Sequence, residues 1–129
     1  MRKIAVIGSR HFNDYDRLER VLQSWLPAHI VSGGAKGADA LAERLAREHE
    51  LPVTVIKPDW KQYGRGTGPI RNRTIVDTAD LVIAFWDGKS RGTASALNYA
   101  RAKGKTVIVE SVGEGLMRYR SFESASVPA

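Results

Sequence analysis

His29-Ile30-Val31-Ser32-Gly33-Gly34-Ala35-Lys36-Gly37-Ala38-Asp39 runs a short apolar strand into an amphipathic helix. The glycines let the backbone turn tightly at the junction and leave room for a ligand to approach bare amides. Beyond it, Ala38, Leu41, Ala42, Leu45 and Ala46 share one helical face, with Glu43, Arg44, Arg47 and Glu48 outside. The first turn of such a helix offers unpaired N–H groups and a partial positive charge, which suits a phosphate. A second junction of the same kind, Ser90-Arg91-Gly92-Thr93, recurs later.

Outward from this junction, strand and helix alternate. Ile4 to Ile7 is an apolar, largely β-branched run ended by Gly8 and reads as a buried strand. Asn13 or Asp14 caps a helix through Leu18, Val21, Leu22 and Trp25, stopped by Pro27. Val53 to Ile56 is the third strand. Residues 58–68 form a longer connection, and Pro69 suits the first turn of a third helix reaching about Thr78. Leu81 to Trp86 is a fourth strand, Ala94 to about Lys103 a fourth helix, and Thr106 to Val109 a fifth strand.

Short, unalternating apolar strands separated by helices call for a parallel sheet covered on both faces. The predicted fold is Rossmann-like α/β, a three-layer α/β/α sandwich around a five-stranded parallel sheet. Right-handed crossovers gather the strand-to-helix loops at one edge, where ligands bind at the switch in strand order. An order of 3-2-1-4-5 brings together the loops starting at Gly8, Ser32 and Gly92. A flavodoxin-like 2-1-3-4-5 order separates them, so the first is preferred.

The 129 residues suit one domain over 1–110, and 111–129 read as a partly mobile C-terminal tail without strong periodicity. An apolar share of 43% and a charged share of 26% are those of an ordinary soluble globular protein. No apolar run approaches the roughly 20 residues that cross a bilayer, and the opening run is too short for a signal peptide. With no cysteine there is no disulfide or thiolate metal site, which fits a cytoplasmic protein. The net charge of +6 favours anionic partners such as nucleotides or nucleic acid, although a solvated basic surface explains it as well. His11, His29 and His49 lack metal-ligand spacing, so no metal is expected.

Four patterns follow one another: Gly8-Ser9-Arg10 with Phe12 and Asp14; the Ser32 to Asp39 loop; Trp60-Lys61-Gln62-Tyr63-Gly64 with Gly68 and Arg71-Asn72; and Asp80 to Phe85 before Gly92-Thr93. In this order they resemble the YspA-like, cpYpsA-related branch of the SLOG superfamily, Rossmann-like relatives of the LOG and DprA proteins. The resemblance covers residues 4 to about 109. It implies a pocket for a nucleotide or nucleotide derivative such as ADP-ribose, in proteins that act as ligand sensors, nucleotide-processing enzymes or DNA-binding proteins. Related domains often pair, and Trp25, Met117 and Tyr119 are candidates for a self-interface in a dimer or higher oligomer. One departure matters. The LOG enzymes carry a proline-glycine-glycine-x-glycine-threonine-x-x-glutamate loop, and here Ala96 stands at the glutamate position. Alanine can neither stabilise an oxocarbenium ion nor move a proton, so LOG-type hydrolysis by the same residues is not expected.

The expected ligand-binding residues are Gly8, Ser9 and Arg10, then Ser32, Gly33, Gly34, Ala35, Lys36, Gly37 and Asp39, with Arg71, Asn72, Gly92 and Thr93. The glycines serve equally as tight turns without a ligand. Their spacing fails the dinucleotide pattern, since Ser32 takes its first glycine position, and is no P-loop. Asp39 either caps its helix or touches a ribose; Thr93 caps the fourth helix while Gly92 exposes amides. Arg10 and Arg71 offer forked donors for phosphate, with salt bridging or loop support as the plainer uses. Trp60 and Tyr63 stack on a base or pack beneath the loop.

The leading expectation is binding or sensing of a nucleotide-derived phosphate ligand. The first alternative is hydrolysis of such a ligand, with Asp39 or Asp87 as the catalytic acid. The second is DprA-like single-stranded DNA binding, weakened because the lysines and arginines read as scattered among acids.

Overall fold

The computed structural model describes residues 1–113 and the backbone of 120–124. Its elements are β1 (Lys3–Gly8), α1 (Tyr15–Gln23), β2 (His29–Ser32), α2 (Ala38–Glu48), β3 (Val53–Val55), α3 (Trp60–Tyr63), a 3-10 turn (Gly64–Gly66), α4 (Thr67–Thr78), β4 (Leu81–Trp86), α5 (Arg91–Ala102), β5 (Thr106–Ser111) and β6 (Arg120–Ser124). The sheet order is β3-β2-β1-β4-β5-β6. The first five strands are parallel in the expected order 3-2-1-4-5.

Alternate residues of β1, β2, β4 and β5 feed two cores, which is why these strands read as unbroken apolar runs. Ile4 and Val6 of β1, Ile83 and Phe85 of β4, and Ile108 of β5 meet Leu18 and Leu22 of α1 and Ala42 and Leu45 of α2. Ala5, Ile7, Val82, Ala84, Val107 and Val109 meet Ile75 and Val76 of α4 and Leu97 and Ala100 of α5 on the other face. Phe85, fully buried, stacks on Phe12 with ring centroids 4.9 Å apart. That pair fastens the β1–α1 loop to the end of the neighbouring strand.

Two helix starts depart from the sequence reading in instructive ways. At α1 the cap is Asp14, one of the two residues expected, its Oδ1 accepting from Arg17 N at 3.1 Å. α4 begins at Thr67, so Pro69 is its third residue, still where the missing N–H has no partner to lose. α5 begins at Arg91, three residues before the predicted start, so Gly92 and Thr93 lie in its first turn.

The C-terminal region also differs. β6 pairs antiparallel with β5, Thr106 opposite Ser124 through Glu110 opposite Arg120. An edge strand held by a backbone ladder leaves little hydrophobic pattern to read. Trp25, expected as an exposed interface residue, is half-buried against the core with the Arg2 guanidinium 5.3 Å from its ring. Met117 and Tyr119 lie outside the described residues.

Candidate functional site

Chain reversal between β3 and β4 places the switch in strand order between β1 and β4. At the carboxyl ends of these strands two depressions flank Ser9. The smaller, about 280 Å³, is lined by Ile7, Gly8 and Arg10 from the end of β1, Ala35 and Asp39 from the start of α2, Arg71, Asn72 and Ile75 from α4, and Ser90, Gly92, Thr93 and Ala96 from the start of α5. It gathers eight of the fourteen expected binding residues. Ser9, Ser32, Gly33, Gly34, Lys36 and Gly37 do not line it.

The Ser32 to Asp39 loop is closed largely on itself. Gly34 N donates to Ser32 Oγ at 3.2 Å, Ala35 N to Asp39 Oδ2 at 3.1 Å, and Ala38 N to Ser9 O at 3.2 Å. The expectation of bare amides fails at these three positions because the loop's own side chains and β1–α1 backbone reach them first. Ser32 Oγ in turn donates to Glu43 Oε2 at 2.7 Å. Gly37 has φ +77°, and a Cβ there would strike Ser9 O and crowd the Arg10 backbone. Its glycine is explained by that close approach.

Asp39 is 8% exposed. Burial pushes its carboxyl above the ordinary aspartate range, assisted by Glu43 and opposed by the Ala35 amide and the Arg71 charge. Arg71 stands across the loop, Nη1 donating to Gly33 O at 2.7 Å and Nε to Asn72 Oδ1 at 3.0 Å. Arg71 thus holds the glycine loop rather than the 58–68 connection. Its remaining guanidinium donors have no partner among the described residues. Arg10 is exposed and makes no hydrogen bond or ion pair among them.

The start of α5, like that of α2, lacks a side-chain cap. Ser90 at its N-cap makes no side-chain cap to the backbone; its hydroxyl lies 3.2 Å from Thr93 Oγ1. The first internal helical bond is Ala94 N to Ser90 O at 3.1 Å, so the amides of residues 91–93 precede the ladder. A Cβ on Gly92 would meet only Asn72 Nδ2, at 3.9 Å. Trp86 Nε1 donating to Ser90 O at 3.1 Å fixes the entry to this turn.

Asp87 shapes that same turn. Its Oδ1 accepts from Lys89 N and Ser90 N, both at 2.8 Å, and these amides hold its carboxyl below the ordinary range. It lines the larger depression, about 490 Å³, together with Ser9, His11, Asp14 and Lys89. That space is less suited to an anion despite its size. The α1 start facing it already carries Asp14 on Arg17 N, and the Asp14 and Asp87 carboxylates balance the Arg17 and Lys89 cations around it.

Trp60 and Tyr63 line neither depression; they are 62% and 44% exposed on α3. Sequence reasoning named Ser90 in its junction but did not assign it to the site. Ile7 and Ile75 were missed because core periodicity hides a residue whose edge also floors a cavity. Among the described residues no three His, Cys, Asp or Glu side chains form a metal cluster. No helix among them is long and apolar enough to cross a membrane.

A doubly wound parallel sheet with its cavity at the strand-order switch defines a Rossmann-like domain. The chain belongs to the YspA, cpYpsA-related SLOG family, whose model matches residues 2–63. The Gene 61 protein of Mycobacterium phage D29 is 34% identical over 119 residues, spanning 84% of this chain and 95% of the phage protein. Among solved structures, DNA processing protein A (DprA) of Streptococcus pneumoniae superposes with a TM-score of 0.75 at 22% identity, covering 89% of this chain. This chain spans about half of that protein, 52% of its length. DprA of Helicobacter pylori, described with a single-stranded DNA binding mode, gives a TM-score of 0.68 at 25% identity over 88% of this chain and 67% of the other.

Proposed function

We propose that the smaller cavity binds a nucleotide or nucleotide-derived phosphate ligand, with phosphate at the first turn of α5. The observation that carries this reading is convergence: the uncapped start of α5, Arg10 and the free donors of Arg71 face one cavity whose floor is apolar at Ile7 and Ile75. Helix amides and two guanidiniums recognise phosphate, while the isoleucines favour a flat base or sugar face. Sequence reasoning placed the phosphate on both glycine junctions; the hydrogen bonding favours the second.

Calorimetry against nucleoside phosphates, cyclic nucleotides, ADP-ribose and NAD derivatives tests the reading. Binding is expected for at least one class and lost in Gly92→Asp, which sets a carboxylate beside the phosphate position. Absence of heat across the panel would refute it.

Asp39 supports a second reading, hydrolysis of the bound ligand. A buried carboxyl with a raised pKa inside a cavity can act as a general acid, and Ala96 leaves no LOG-type glutamate to do so. Chromatography after prolonged incubation of the same panel decides it: product that disappears in Asp39→Asn supports hydrolysis, and intact ligand at high protein concentration rules it out.

A further inference from the structure

Most of one basic segment lies outside the cavity. Residues 57–73 contain Lys57, Lys61, Arg65, Arg71 and Arg73 against a single acid, Asp59. Five cations against one acid give this segment +4 of the chain's formal +6. The positive charge is therefore concentrated, contrary to the impression of even scatter. Arg71 turns into the cavity and the Arg73 guanidinium lies 5.9 Å from the Tyr99 ring. Lys57, Lys61 and Arg65 remain exposed and form no ion pair among the described residues. The Asp59 carboxylate is turned to the start of α3, accepting from Gln62 N at 3.1 Å.

The only exposed Trp, Tyr or Phe rings among the described residues fall in this same segment, Trp60 and Tyr63. Three positions apart on one helical turn, they lie on one side of it. The surface adjoins the glycine loop, because a Cβ on Gly34 would lie 3.5 Å from Lys57 Cγ. Exposed rings are costly in water, and cations alone would attract any polyanion. Rings and cations together match a chain that alternates phosphates with uncovered base faces.

We propose that α3 and its flanks bind single-stranded nucleic acid, with bases stacked on Trp60 and Tyr63 and phosphates held by Lys57, Lys61 and Arg65. A duplex hides its base faces and can meet only the cations. The proposal goes beyond mononucleotide binding in the cavity and does not require it.

The test is fluorescence anisotropy with labelled oligo-dT of about 20 nucleotides, against a duplex of equal length, across about 50 to 200 mM salt. The single strand should bind at least about ten-fold more tightly than the duplex. Trp60→Ala with Tyr63→Ala should weaken it by about 30-fold, within the range of lost base–aromatic stacking. Lys57→Gln, Lys61→Gln and Arg65→Gln together should flatten the log–log salt slope by about 2. Circular dichroism melts should match wild type, since all five side chains are exposed. Oligo-dT that fails to bind at low salt, or binds the aromatic variant as tightly as wild type, overturns the proposal. So does equal binding of duplex, or equal competition by polyglutamate. Calorimetry of the aromatic variant with mononucleotides separates the two readings: loss there, with oligo-dT ignored by wild type, assigns the rings to the cavity ligand and ends this proposal.

Discussion

The two glycine junctions look alike in sequence and differ in how many of their amides are already bonded. At Ser32 to Asp39 the amides of Gly34, Ala35 and Ala38 are bonded within the protein. At Ser90 to Thr93 the amides of Arg91, Gly92 and Thr93 have no hydrogen-bond partner among the described residues. A glycine at a strand-to-helix turn therefore reports close approach of some group without saying which. At Gly37 that group is the protein's own backbone, and at Gly92 only the Asn72 amide stands within van der Waals reach.

The largest expected effect breaks the first junction. Gly37→Ala forces a Cβ against Ser9 O in a left-handed conformation, and should destabilise the fold by about 3 kcal/mol or more in urea denaturation. A change below about 1 kcal/mol would show that the junction is looser than described. Gly92→Asp should change stability by under about 1 kcal/mol, since a carboxylate in a first helical turn suits the dipole. It should nevertheless weaken the nucleotide ligand by about 100-fold in calorimetry, a loss like that of a charge-assisted contact. If the two variants behaved alike, the contrast between the junctions would be wrong.

Arg71→Ala joins both regions. It removes the bond to Gly33 O and one phosphate donor, so a stability loss of about 1 to 2 kcal/mol should accompany a roughly ten-fold loss of ligand affinity. The smallest effect concerns pH. Between the ordinary aspartate value of 3.8 and its raised folded value, Asp39 binds more protons folded than unfolded. Stability from this group therefore falls as pH rises through that window. Asp39→Asn should flatten that part of the profile in denaturant titrations at pH 4 to 7, while its amide oxygen can still accept from Ala35 N. An unchanged slope would mean that the carboxyl is better solvated than its burial indicates.

Much of the fold was legible because strand order follows from where helix-starting loops must meet. β6 was not, since Arg120-Ser121-Phe122-Glu123-Ser124 offers a single large apolar residue and its place depends on a ladder to β5. The four-residue α3 is too short for periodicity to register. In the site, Arg10, Arg71, Asn72, Gly92 and Thr93 were readable as polar or small residues at helix starts and strand ends. What could not be read was occupancy. Whether an amide is free depends on side chains such as Ser32 and Asp39 folding back, and whether an acid is available depends on turns such as the one Asp87 holds. Charge also needed position as well as a total, since the concentration over residues 57–73 is invisible in a net value.

Ser9 stands between the two depressions, fixed on every side. Its N donates to Phe85 O at 3.0 Å, its carbonyl accepts from Phe12 N at 3.3 Å and Ala38 N at 3.2 Å, and its hydroxyl accepts from His11 N at 3.2 Å. A partition so anchored yields little, so a molecule pressing on one side cannot readily reshape the other. Gly8 and Arg10, the neighbours of Ser9 on either side in the chain, line the smaller depression, so the hold on Ser9 also sets where those two residues stand.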